Sequence, residues 1–300
     1  MAEQRRFAGL ATRTQLRAAN NLGTIIRRTA GTSSLRRQDL ELFDAYYEAR
    51  QYDGLPPWDQ KDNADGTFIP VRERKPRLNL NLSKTLASRL ASKLVGSRTF
   101  PELKIEDDPE TEDLIRAVKQ TSRLRGMIVE PIRRMLISGS VLIRFAIING
   151  KYKVEHYLAK HVFPEFDAAG ELIAARIQFV WEDKTDLNPE TGLPKKKWFR
   201  LDLGPERDIS YDTPEFEEGA EPKFTITEVA DHNLGFVQAE WFKTAEMTNS
   251  IDGPSLIMDA LDFFDELNYN VSQSSTSIGY NQDPQLVLNN MDEDEMEKMI

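Results

Sequence analysis

Between Leu267 and Gln282 the chain carries no charged side chain, and this stretch restricts its folding more than any other. Residues 255 to about 280 contain no proline and one late glycine, Gly279, so the spacing predicts a continuous helix of about seven turns, roughly 40 Å long. Its faces separate. Ile257, Leu261, Phe264, Leu267, Val271 and Ile278 form an apolar stripe, while Asp259, Asp262, Glu266, Asn270, Gln273 and Ser277 fall on the other side. A lone surface helix is rarely so uncharged, and small neutral side chains suit close packing of neighbouring helices. Val271, Ser272, Ser274, Ser275, Ser277 and Ile278 are therefore candidate contacts with further copies of the chain. An ordinary helix buried within one subunit is the alternative.

With 300 residues, 40% of them hydrophobic, the chain can bury a real core as one large domain or two smaller ones. Its longest apolar runs stop well short of the roughly 20 residues that cross a bilayer, and the first residues offer no apolar run with a small-residue cleavage site. A protein that stays in the cytoplasm where it is made is expected. The absence of cysteine excludes disulfides, thiolate nucleophiles, iron–sulfur clusters and cysteine-ligated zinc.

The formal charge of -10 is unevenly spread. Residues 1–37 hold eight arginines (Arg5, Arg6, Arg13, Arg17, Arg27, Arg28, Arg36 and Arg37) and one acid, Glu3, for +7, which leaves -17 on residues 38–300. Glycines and the Thr32-Ser33-Ser34 cluster make this segment a flexible basic arm by expectation, suited to contact nucleic acid through its phosphates. The acidic body would repel DNA.

Several helices follow. Leu40, Phe43, Tyr46 and Tyr47 share one helical face. Leu82, Leu86, Leu90 and Leu94 recur every fourth residue beside Ala87 and Ala91, after Asn81 as N-cap and before Gly96, which predicts a second amphipathic helix. Asp108-Pro109-Glu110 has the cap, proline and acids of a helix start, and the helix runs to about Leu124. Another covers roughly 126–137, with Pro131 starting or kinking its last part. Strands then flank Asn149-Gly150, the dipeptide of a type I′ hairpin, and continue over 161–166, 172–181 and 197–203. Residues 58–76 and the acidic stretch 204–222 read as surface loops.

Catalytic patterns are missing. There is no Walker A loop, no G-x-G-x-x-G after a strand and no G-x-S-x-G elbow. His156, His161 and His232 are too dispersed for a metal helix, and Lys61 to Gly66 imitates a calcium loop with Lys61 and Arg72 where carboxylates are required. Acid runs at 106–113, 215–221 and 292–297 read as solvated faces, since general acid work needs one carboxylate with a raised pKa in a pocket. No catalytic residue, cofactor or metal ligand is nominated.

The order of elements, with particular phrases, resembles the portal proteins of tailed double-stranded DNA phages over about residues 38–290. The phrases are Tyr46-Tyr47, the Asn79 to Gly96 helix entry, Ile137 to Val141 leading to Asn149-Gly150, His232 to Val237, Gly253-Pro254-Ser255, Leu261 to Asn268, Val271-Ser272 and Asp283 to Leu288. The resemblance implies an α+β portal architecture: a basic arm over 1–37, a wing of helices and antiparallel strands over 38–248, a stem helix over 249–280 and the start of a clip over 281–300. The rest of the clip, the returning stem helix and the crown fall outside these 300 residues. It further implies a homo-oligomeric ring, typically a dodecamer, at the portal vertex of the virion. DNA would pass through it during packaging and ejection, and capsid protein, scaffold, the large terminase subunit and a tail adaptor would be partners. Asp259, Asp262 and Glu266 would then form rings of negative charge facing the tunnel or a subunit boundary. The competing expectation is a DNA-binding protein that grips phosphate through its arginine arm and forms no ring; a carboxylate hydrolase is a third, with no spacing to nominate its acids.

Overall fold

The computed structural model describes residues 32–95, 108–121, 123–148, 151–189, 191–217, 220–247 and 250–282. The fold is mixed α+β, with antiparallel sheets and a C-terminal helix. The chain divides into a larger unit, Gly23–Gln51 with Asn81–Asp259, and a smaller one that joins Tyr52–Leu80 to the residues from Ala260 onward. The expected boundaries do not coincide with this division: 52–80 groups with the helix that follows Ala260, and 250–259 with the larger unit.

In the larger unit, helices α1 (Thr32–Tyr47), α2 (Leu82–Val95), α3 (Pro109–Thr121), α4 (Leu124–Met127) and α5 (Val129–Ser138) precede the strands. Helix α1 buries Leu40, Phe43, Tyr46 and Tyr47, the face its periodicity predicts. It is tied to α5 by Arg134, whose guanidinium lies 4.3 Å from the centre of the Tyr47 ring and pairs with Asp44 at 2.8 Å and Glu48 at 2.7 Å. Such a cation, four-fifths withdrawn from water, is tolerated because carboxylates take up its donors.

Helix α2 forms where its leucine spacing predicts but turns its small residues inward. Asn81 caps it, accepting the Lys84 N–H at 3.0 Å, but the buried residues are Ser83, Ala87, Ala91 and Val95, while Leu86 and Leu94 remain 38% and 54% exposed. Small residues on the inner face let its backbone approach α5 closely, and larger side chains would hold the helices apart. Helix α3 starts as predicted, with Asp108 accepting the Thr111 N–H, but stops at Thr121, where Arg123 adopts a left-handed φ of 50°. Pro131 sits in the first turn of α5, where no intrahelical partner for an N–H is lost.

Gly139 closes α5 with φ 86°, and the chain crosses itself there. A Cβ on Gly139 would overlap the carbonyl oxygen of Gly253, and one on Gly253 would lie 2.8 Å from that of Gly139. Thr244 N–H donates to the Gly139 carbonyl and Gly253 N–H to the Ser140 hydroxyl, which fixes the Asp252–Ser255 strap.

A three-stranded sheet has the order β2-β1-β8, from β1 (Ser140–Ile148), β2 (Lys151–Leu158) and β8 (Ala239–Lys243). Ile148 faces Lys151 in its register; Asn149-Gly150 itself lies outside the described residues. The second sheet runs β3-β4-β5-β6-β7, from β3 (Val162–Phe166), β4 (Leu172–Leu187), β5 (Pro194–Leu203), β6 (Arg207–Tyr211) and β7 (Ile226–Asp231). Strands β4 and β5 outrun their predicted lengths through charged rungs, such as Lys197 with Asp183 at 2.8 Å and Asp186 at 2.9 Å. Strand β6 replaces part of the expected 204–222 loop. It was hidden because its inward position is Asp208, 6% exposed and paired with Arg144 of β1 at 2.7 Å, instead of an apolar residue.

In the smaller unit a polar loop and one short 3-10 turn, Val71–Glu73, accompany α6 (Leu261–Gln282), a 22-residue helix about 33 Å long. The Lys61 to Gly66 stretch is a turn, closed by Gly66 N–H donating to the Asn63 carbonyl. The predicted helix start at 255 is corrected. Residues 254–257 are non-helical, and Met258–Ala260 is a single 3-10 turn, because Leu256 N–H and the Ser255 hydroxyl are committed to the carbonyls of Leu136 and Ile137.

Candidate self-association surface on the terminal helix

The inner face of α6 buries Leu261 and Phe264 in its first turn, as its periodicity predicts, and is largely polar beyond them. Asp265, Asn268 and Ser272 are fully buried, with Tyr269 at 3% exposure, and they bond to the 52–80 segment. Tyr52 donates its hydroxyl proton to Asp265 and accepts from the Asn268 amide at 3.0 Å; Asn268 Oδ1 in turn accepts the Leu80 N–H at 2.8 Å. One turn on, Ser272 Oγ accepts the Leu78 N–H at 3.0 Å and donates to the Asn268 carbonyl. The Tyr269 hydroxyl lies 2.8 Å from the carbonyls of Arg72 and Arg74, and its ring meets Tyr52 edge-on at 5.9 Å. Trp58 Nε1–H reaches Thr276 at 3.1 Å. A loop with few ladder bonds of its own thus satisfies its backbone on helix side chains.

Ser272 is therefore corrected from an intersubunit contact to an internal one. Val271, Ser274, Ser275 and Ile278 do come together, lining with Arg77, Asn270 and Gly279 an open groove of about 550 Å³. Ile278 is 54% exposed, and no atom lies within 4 Å of where a Gly279 Cβ would stand. Ser277 is exposed but does not line the groove. The groove's chemistry is neutral apart from Arg77: small hydroxyls around two aliphatic side chains.

The acidic trio separates. Asp259 is exposed on the 3-10 turn ahead of α6, Asp262 is exposed in the first helical turn, and Glu266 pairs with Arg72 at 2.7 Å. Glu266 is therefore not a bare negative charge. Among the arginines of the expected arm, Arg36 and Arg37 belong to α1. Arg36 pairs with Asp252 and donates to the carbonyls of Val162 and Ala159, while Arg37 meets Glu41 at 2.9 Å. Arg36 is a part-buried fastener: Asp252 of the strap takes two of its donors, and the carbonyls of Ala159 and Val162 take the others. Arg5, Arg6, Arg13, Arg17, Arg27 and Arg28 lie outside the described residues.

Elsewhere, burial pushes His156 down, and burial with the neighbouring Lys160 takes His161 to about 4. His232 Nε2 stands 3.6 Å from Asp208. No group of three or more metal-ligating side chains occurs among the described residues. Asp108, in one of the acid runs, is held below the usual carboxylate range by hydrogen bonds from Thr111, the wrong direction for a general acid.

Sequence reasoning missed Arg77 and the buried Asp265, Asn268 and Tyr269. Their signal was present as hydrogen-bonding residues at 265, 268, 269 and 272, the i, i+3, i+4, i+7 spacing of one helix face. No protein-family model matches the chain, and no curated protein matches it.

Proposed function

We propose that the chain is a ring-forming portal subunit of a tailed bacteriophage, set at the capsid vertex where DNA enters and leaves. The observation that carries this reading is the outer face of α6. After Glu266 every described side chain on it is uncharged, and Val271, Ser274, Ser275 and Ile278 stand around an open groove on a helix already anchored by its other face. An apolar and hydroxylic face of this kind is stabilised by a neighbouring helix and gains little from water. A ring presents that face once per subunit to the next copy, the heterologous contact from which cyclic assemblies are built.

In this reading the α+β body forms the outer wing. The acidic balance of residues 38–300 keeps the tunnel wall from gripping phosphate, because each neutralised phosphate would add affinity and slow the polymer. Capsid protein, scaffold, the large terminase subunit and a tail adaptor are the partners, and the subunit works without a cofactor. No described helix is long and apolar enough to cross a membrane.

Negative-stain microscopy with sedimentation of the purified chain is the test. Closed rings with a central hole, dispersed by Ser275→Glu/Ile278→Glu, are the expected result. Monomers at tens of micromolar, or rings indifferent to those substitutions, would overturn the proposal.

A further inference from the structure

The leucines of α2 pose a question the ring does not answer. Leu82, Leu86, Leu90 and Leu94 form an unbroken i, i+4 ridge about 18 Å long, displaced from the buried Ser83-Ala87-Ala91-Val95 face. Leu86 and Leu94 are 38% and 54% exposed, and Leu82 and Leu90 are half-buried. Arg89 and Lys93 stand one turn apart beside the ridge, both exposed, and among the described residues neither has an ion-pair partner. Elsewhere in the unit, cations such as Arg36, Arg134, Arg144 and Lys197 are matched with carboxylates. Helix α2 itself contains three cations and no acid, in a chain of net charge -10. Lys84, the third, lies over the Tyr47 ring and so faces away from the ridge.

From this juxtaposition we infer that the ridge is a docking surface for an amphipathic helix of a partner protein whose apolar stripe is flanked by carboxylates. An i±4 ridge fits the matching groove of a second helix at a crossing angle of about 50°. The unpaired Arg89 and Lys93 select acids beside that groove, giving register and rate as well as affinity. A second copy of α2 is the wrong occupant, since a two-fold contact would set Arg89 and Lys93 against themselves. Two cations attract an anionic lipid surface only weakly, and the acidic remainder of the chain opposes it. DNA has no use for four leucines. This inference stands apart from the ring and does not depend on it.

The native chain has no cysteine, so single introduced thiols report the surface cleanly. Maleimide should label Leu86→Cys in the free protein at near the rate of a small-molecule thiol; slow labelling would mean the chain covers its own ridge and would overturn the proposal. The full chain with an environment-sensitive dye at Ser92→Cys is then titrated with a synthetic helical peptide carrying leucines at i, i+4 flanked by glutamates, and with a twin in which lysines replace the glutamates. The glutamate peptide should bind and the lysine twin should not. Leu86→Ser/Leu94→Ser should weaken binding about tenfold or more, and Arg89→Glu/Lys93→Glu should invert the preference between the two peptides. Circular dichroism melts establish that each variant is folded. Equal binding by all variants would sink the proposal, as would a response to phosphatidylserine vesicles or duplex DNA without a response to either peptide. Loss of self-association in Leu86→Ser/Leu94→Ser would assign the ridge to a second copy and refute it.

Discussion

Helices α2 and α6 use their residues in opposite ways. In α2 the small residues Ser83, Ala87 and Ala91 are inside and leucines stand outside; in α6 hydrogen-bonding residues are inside, and Val271 and Ile278 line an open groove. The difference follows from what each helix meets. Helix α2 lies against another helix, whose backbone bonds are already made, so close approach is what the contact rewards. Helix α6 lies against residues 52–80, where backbone N–H groups such as those of Leu78 and Leu80 need acceptors. An inner face of leucines would leave those donors dry and unpaired.

Asn268→Ala gives a large effect and tests the α6 side of the contrast. It strips the acceptor from the part-buried Leu80 N–H and a donor from the buried Tyr52 hydroxyl, so a loss of about 2 kcal/mol is expected in urea unfolding. Ser272→Ala, which removes one such acceptor, should cost about 1 kcal/mol. A near-neutral Asn268→Ala would mean that the buried polar stripe does not hold the smaller unit together. On the α2 side, Ala91→Leu adds bulk where the helix has no exposed surface, and a destabilisation of about 2 kcal/mol is expected from overpacking.

Acid acts on the larger unit, which holds His156 and His161, both pushed below the ordinary imidazole value by burial. His161, beside Phe179 at 5.1 Å between ring centres, is driven to about 4 by burial and then by Lys160. Its folded pKa lies below the ordinary 6.5, so the unfolded chain binds the proton first. The stability from keeping it neutral is complete above about pH 6.5 and is lost as the pH falls toward 4, by at most about 2 kcal/mol at pH 5. Denaturant midpoints across that window, compared with His161→Phe, check the slope; the variant should flatten it.

What could be read from the sequence follows the same physical divide. The inner face of α1, the caps at Asn81 and Asp108, and the β1–β2 pairing were legible because one local rule set each of them. Strand β6 and the helix start at Leu261 were not. The first hides behind Asp208, whose partner Arg144 is 64 residues away in the chain, and the second depends on Ser255 and Leu256 bonding to α5. The candidate groove was half legible: Val271, Ser274, Ser275 and Ile278 were found by their lack of charge, while Arg77 is joined to them only by the tertiary fold. Charge-free composition marks a surface as unusual without saying whether a neighbouring copy or the chain itself takes it up, which is why Ser272 was misassigned.

The smallest expected effect discriminates most sharply between the two readings of α2. If Leu86 and Leu94 were core residues, replacing each by alanine would cost about 2–5 kcal/mol in lost burial and cavity. With both side chains this exposed the lost transfer energy is small, and the higher helix propensity of alanine offsets part of it, so a change within about 0.5 kcal/mol per site is expected in thermal or urea unfolding of the isolated chain. The same substitutions should nevertheless weaken docking of the glutamate-flanked peptide by up to about tenfold, because a residue that contributes little to the free fold can contribute much of the energy at a contact. Stability that is indifferent to Leu86→Ala and Leu94→Ala, with binding that is not, would show a helix whose most hydrophobic face is kept for something other than its own core. A loss of several kcal/mol would instead return the leucines to the interior and place the alanines of α2 outside.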